Sequence, residues 1–378
     1  MKKFLFWTAL ASVALTGCVK NDVEPNPSLG QDVEITFNKP VVGKITRAHQ
    51  PGLMDTDYKQ EEKFAVTAWA HEKDFKADDA EIKPYIDKVM AYYKPSATAT
   101  PNVGIADGGT GGWVLATPYY WPKTHKLTFS AYSPYELPGV TDASVTVDKG
   151  ITLKGVTTPD LVADHYDMLF STRVYDQKET SYVHTNVDYI GVDIVFNHAL
   201  SAIVVKACLD KTYADNNAIK INSIKFDNVM TVGDFYENIT NYKTLTGKST
   251  TAYWDALDVP KDNFYIGQTT TADLQATPNT ITYGIPAMFI PQTLANTEGN
   301  IQMVVNYTIT NTGGISLNET LTFDLSDLQD TSVSEWEIGK RYTYTLTFSL
   351  NEIVLAPSVD DWTDVPVSVL DDEDQILP

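Results

Sequence analysis

Short runs of apolar residues recur along the chain at period two or as β-branched clusters, separated by groups of Gly, Pro, Asn and Asp. Such runs pack one face of a strand and leave the other to solvent or to a second layer. Val33-Glu34-Ile35-Thr36-Phe37, Phe64–Trp69, Leu127–Tyr132 and Val192–Phe196 are of this kind, as are Ile219–Phe226, Ile301–Ile309, Leu317–Phe323 and Tyr342–Phe348. Many short strands without intervening helical patterns predict an all-β fold of packed sandwiches. One segment is ambiguous. Ile82, Tyr85, Ile86, Val89, Met90 and Tyr93 fall at helical spacing, so 80–95 reads either as a short amphipathic helix or as an irregular strand. Residues 96–112, rich in Gly, Ala and Thr, predict an exposed loop. The polar stretch 173–190 precedes the strong strand at Val192 and predicts a boundary between two units, 31–185 and 186–378.

The start of the chain follows a different pattern. Lys2 and Lys3 precede an apolar run, Phe4 to Leu15, in which only Thr8 and Ser12 are polar, and Leu15-Thr16-Gly17-Cys18 follows. A short apolar stretch behind two lysines, ending in small residues, predicts a secretory signal rather than a spanning helix. The sequence Leu-small-Gly-Cys resembles the bacterial lipobox. The resemblance implies a leader over 1–18, lipidation of Cys18 as the first mature residue, and a lipid anchor in the outer membrane, since Val19 rather than Asp follows. Residues 19–30 then form a polar, proline-containing tether.

About 360 residues remain after such a leader, and 43% of the chain is hydrophobic, enough to build sizeable cores. The net charge of −21 argues against nucleic acid or an anionic membrane as the main partner. There are two cysteines, Cys18 and Cys208; with Cys18 carrying lipid, no intramolecular disulfide forms and core packing alone holds the body. Cys208 ends the strand-like run from Ala202 and is expected to be a buried, inert thiol.

Enzyme signatures fail where they would need particular residues. Gly247-Lys248-Ser249 resembles the end of a P-loop, but Tyr242 stands where a glycine is required. Gly109-Thr110-Gly111 is followed by Val114 where the third glycine belongs, and His71-Glu72 has no second histidine at metalloprotease spacing. His165 lies close to Asp167, but nothing nearby completes a site. The expectation is a non-enzymatic protein without cofactor or metal.

Several local patterns, in order, resemble the fimbrillin family, the fimbrial subunits of Bacteroides-type bacteria. After the lipobox come Glu34-Ile35-Thr36-Phe37 and Thr46-Arg47-Ala48. Next are Trp113, Tyr120-Trp121-Pro122 and the run Leu127 to Pro134, then Asp167-Met168-Leu169 and Val195-Phe196-Asn197-His198-Ala199-Leu200-Ser201. Ile290-Pro291-Gln292, Trp336 with Gly339-Lys340-Arg341-Tyr342, and Asp361-Trp362 complete the series. The resemblance implies two tandem transthyretin-like β-sandwiches and a fimbrial role, as structural subunit or tip adhesin, at the cell surface. Its partners would be other fimbrial subunits and, for an adhesin, a host or bacterial surface ligand.

Arg47 is the residue with the sharpest implied role. The chain has 25 lysines but only three arginines, Arg47, Arg173 and Arg341. In the resembled family an arginine here is where a trypsin-like protease cuts. The cut removes the first strand, Val33, Ile35 and Phe37, and a neighbour's strand fills the groove by strand addition. Val365, Val367 and Val369, at period two near the end of the chain, read either as that donor strand or as an ordinary tail. The alternative function is a cell-surface lipoprotein that captures glycans on exposed aromatics. Trp113, Trp121, Trp254 and Trp362 discriminate: buried indoles pack, whereas exposed coplanar ones would bind sugar. Trp336 and Trp362 are expected in the core, and His198 as a hydrogen-bonded strand residue.

Overall fold

The structure, a computed structural model, describes residues 33–42, 58–77, 79, 82–95, 111–179, 191–210, 217–237, 249–251, 253–256, 264–268, 274, 279–280, 287–295, 299–328, 333–349 and 353–361. These are nearly all β, with a 3-10 turn at Val162–Asp164. The first sheet has nine strands in the order Thr36–Phe37, Gly111–Leu115, Lys83–Pro95, Lys63–His71, Lys126–Ser133, Leu169–Ser171, Val195–His198, Val41–Val42, with Val174–Gln177 added beside Lys126–Ser133. Its core is aromatic: Phe64, Trp113, Trp121, Phe129 and Phe196 are all buried.

The ambiguous segment is the strand Lys83–Pro95. Its apolar spacing looked helical because the strand carries an extra residue. Ile86 pairs with Ala68 and Val89 with Val66, so three steps on this strand oppose two on its neighbour. Lys88 takes up the excess at φ 48, and its N–H bonds Thr67 Oγ1 at 3.2 Å instead of a ladder carbonyl. A bulge of this kind moves the inward face by one residue, turning period two into period three at that point.

A second pair of sheets stacks face to face. One contains Asn279–Thr280, Ser201–Leu209, Lys340–Phe348 and Ile353–Asp361, with Ala287–Phe289 beside Ser201–Leu209; the other contains Phe264–Gln268, Asn217–Asp227, Gln302–Asn311 and Ser316–Asp324. Alternation along Lys340–Phe348 sends Tyr342, Tyr344, Leu346 and Phe348 inward. Phe348 meets Tyr307 edge to face, and Phe226 meets Phe289 and Trp336 the same way. Cys208 is buried on the other face of its strand from the core residues Ala207 and Leu209, its Sγ 3.6 Å from Thr347 Oγ1. A serine at 208 would find that hydroxyl as a partner, so Cys208→Ser is expected to cost only about 1 kcal/mol in urea unfolding, at the low end for a buried hydroxyl. A loss above about 3 kcal/mol would show that the sulfur has a packing role a hydroxyl cannot fill.

Strand pairing crosses position 185/186 in two places. Val195–His198 pairs with Leu169–Ser171 and so belongs to the first sheet. A further five-stranded sheet joins Asp142–Thr146 and Gly150–Thr157 to Val232–Tyr236, Trp254–Ala256 and Ser249–Thr251. Its own core includes Leu153, Phe170, Leu200, Phe235, Trp254 and Met288. Charges reinforce the join: Lys154 pairs with Asp234 at 2.7 Å, and Arg173 with Glu237 at 3.6 Å. The Glu237 carboxylate also accepts the Ile151 N–H at 2.8 Å; burial holds its pKa above the ordinary value against that bond and the Arg173 charge.

Candidate functional site: the seat of the first strand

Residues 33–42 form one extended segment that touches both ends of the nine-stranded sheet. Towards one end, Thr36 and Phe37 pair antiparallel with Val114 and Trp113. The Ile35 N–H donates to the Tyr119 carbonyl at 2.8 Å, and the Trp121 N–H donates to the Val33 carbonyl at 2.9 Å. Towards the other end, the Val192 N–H donates to Thr36 O (2.8 Å), the Asn38 N–H to Val192 O (3.1 Å) and the Val41 N–H to Ile194 O (3.1 Å). Val41 and Val42 then run parallel to Val195 and Phe196. The segment is therefore the stave that closes the sheet.

Alternation directs its odd residues inward. Ile35 and Phe37 are fully buried, and Val33 is half-buried against the same cluster. The Phe37 ring meets Phe64 and Phe129 edge to face at 5.8 and 6.1 Å. Burial of the two large side chains is worth roughly 1.5–3 kcal/mol each. Glu34, between Val33 and Ile35 in sequence, is partly buried, which raises its pKa, while Lys94 pulls it the other way. The walls of the seat are held independently of the segment. Gly111–Leu115 is paired along Lys83–Pro95, and Tyr85 OH donates to the Tyr120 carbonyl. On the other wall, Asn197 Nδ2 donates to Thr172 Oγ1 at 3.3 Å and the Ala199 N–H to Met168 O at 2.7 Å.

The chain is anchored again at Tyr58. Its ring stacks on Phe196 at 5.5 Å, and its hydroxyl lies 2.7 Å from Ser133 Oγ. Burial raises the Tyr58 pKa well above that of a free phenol. Val42 and Tyr58 are thus two buried anchors on either side of residues 43–57. Arg47 lies in that interval; it, Cys18, Trp362 and the tail positions Val365, Val367 and Val369 are outside the described residues.

The sequence profile of fimbrillin-like proteins matches residues 46–362. The chain belongs to the fimbrillin-like family. No curated protein matches it in sequence. A fimbrial protein from Bacteroides vulgatus has the same fold, with 18% identity, a TM-score of 0.56, and coverage of 87% of this chain and 99% of that one. Two others align with lower scores. A candidate cell adhesion protein from Bacteroides uniformis is 15% identical over 89% of this chain and 99% of its own, with a TM-score of 0.46. The tip fimbrial protein Mfa3 from Porphyromonas gingivalis is 10% identical over 80% and 94%, with a TM-score of 0.36.

The other residues singled out in this fimbrillin-like sequence serve packing. Trp113, Trp121, Trp254 and Trp336 are at most 1% exposed, so none offers a face to a sugar. Trp254 Nε1 donates to Ala199 O at 2.6 Å and Trp336 Nε1 to Tyr344 OH at 2.9 Å. His198 is buried with Nδ1 2.9 Å from Asp167 Oδ2. His165 Nδ1 accepts the Met288 N–H at 2.8 Å, and burial pushes its pKa down to about 4, so the ring is neutral. His71 bridges Lys73 O and Thr128 Oγ1. The three rings thus have separate protein partners. Sequence reading missed Asn38 and Gly191, which complete the seat; a polar residue after an alternating strand and a glycine before one carry no local signal of their pairing.

Proposed function

We propose that the protein is a fimbrial subunit, exported as a lipoprotein through Cys18, cut after Arg47 by a trypsin-like protease, and joined to its neighbours by strand exchange at the seat of residues 33–42. One observation carries this reading: the first strand closes the sheet between walls that have their own bracing, and its chain link to the rest of the body runs through 43–57. A cut in that interval would leave Tyr58 in place and the strand held by non-covalent contacts alone. The arginine distribution supports it. Arg173 packs over the Trp69 ring at 5.3 Å with its side chain 10% exposed, and Arg341 pairs with Ala202 on one side and Asp360 on the other. Strand and core arginines resist proteases, which need an exposed, adaptable loop.

An emptied seat exposes strand edges and an aromatic floor, a combination that recruits another strand. Val365, Val367 and Val369, at the same period as Val33, Ile35 and Phe37, would supply such a strand to a neighbouring subunit. Pro366 removes one backbone donor from that strand, which an edge position tolerates. Localisation at the outer membrane and then in the fimbrium follows, with other subunits as partners and a host or bacterial surface ligand if the subunit sits at the tip.

Arg47→Ala tests the reading. The variant is expected to accumulate as a lipidated, folded monomer, absent from the heat-resistant ladders that polymerised subunits give on gels. A chain truncated before Val365 should still be cut yet fail to fill its neighbour. Normal ladders from Arg47→Ala would mean that the first strand is not removed at this arginine.

A further inference from the structure

The rim of the seat at residues 191–193 is built for one kind of occupant. A Cβ placed on Gly191 would lie 2.5–2.7 Å from the backbone C, Cα and N of Phe37. No side chain fits there, so the occupant's backbone must pass directly against this glycine. Asn38 then bridges the rim. The Gly191 N–H donates to Asn38 Oδ1 at 3.0 Å, and Asn38 Nδ2 donates to Asp193 Oδ1 at 2.6 Å. Donor and acceptor are unambiguous, because a backbone N–H can only give and a carboxylate can only accept. The rim asks for a group that accepts on one side and donates on the other, and a primary carboxamide does so with two separate, fixed atoms. The backbone bonds of Val192 to Thr36 and Asn38 run between these two contacts.

Building on the strand-exchange reading, we propose that residues 191–193 select the strand that fills the seat. They fit an extended strand parallel to 191–196 that carries Asn or Gln immediately after its deepest apolar anchor, as Asn38 follows Phe37. Shifting the occupant by one residue would turn its apolar face outward and move the amide away from both partners. This chain's own tail, aligned with Val369 at the place of Phe37, would bring Leu370 to the amide position. The rim therefore fits a strand from a different fimbrial subunit, one bearing a carboxamide there, better than the tail of a second copy.

The test uses the full chain. Asn38→Asp sets two carboxylates against each other and should raise the hydrogen-exchange rate of residues 33–42 by about tenfold or more. Adding Asp193→Asn reverses the polarity: the new carboxylate still accepts the Gly191 N–H and now accepts from the new amide. The double variant should return to within about threefold of the parent protein, a rescue that general damage would not show. Absence of rescue would overturn the latch. For selection of the incoming strand, Asp193→Ala is expected to lower the temperature at which the fimbrial ladders dissociate; ladders of unchanged heat resistance would overturn it. A parent chain that forms no ladders at all would count against strand exchange and leave the exchange measurements on the latch standing.

Discussion

Phe37→Ala is expected to destabilise the uncut chain by about 3–5 kcal/mol, the range for removing a fully buried aromatic ring. Phe37 has no exposed surface and touches Phe64 and Phe129 edge to face, so truncation leaves a void among rigid rings that cannot collapse. The backbone around it is constrained as well, by the pairing to Trp113 and by the contact with Gly191. Urea unfolding followed by tryptophan fluorescence would report the change, since Trp113 and Trp121 line the same core. Proteolysis of residues 33–42 should rise in parallel, because the loss falls on an element held by two-residue strand pairings. A loss below about 1 kcal/mol would mean that the ring sits outside the packed core and that the seat has no deep anchor.

Cys18→Ala is expected to abolish membrane retention of the chain. The lipobox reading makes this one thiol the point of acyl attachment. Each buried methylene contributes about 0.8 kcal/mol, so several acyl chains hold durably, and nothing in a net charge of −21 would replace them at an anionic surface. Among the described residues no helix is long and apolar enough to cross a membrane. Labelling with a radioactive fatty acid and fractionation of cells would give the answer in one experiment: unlabelled precursor, mislocalised, in the variant. Normal labelling and retention would overturn the anchor and, with it, the implied leader of residues 1–18.

Local patterning made the strands legible. Tyr342, Tyr344, Leu346 and Phe348 alternate with polar residues and do face one core. The landmarks in order pointed to the fimbrillin family, and the matching profile over 46–362 shows it. Buried tryptophans were distinguishable from exposed ones only in the structure, since an indole in an alternating run can lie on either face. Lys83–Pro95 escaped a period-two reading because a bulge at Lys88 broke the period. Within the seat, Val33, Ile35 and Phe37 declared their shared face by alternation alone.

What the sequence by itself determined is the all-β class, the inward side of its most regular strands, and the family. Which strands lie side by side was decided by the tertiary structure. Asn38 meets Gly191 and Asp193 across 153 and 155 residues of chain, and Gly150–Thr157 finds Val232–Tyr236 far along the sequence. Side-chain period is a local property, fixed by the pleat of each strand. Backbone hydrogen bonds are alike along every strand, so the choice of neighbour rests on how the faces pack together once the whole chain has closed.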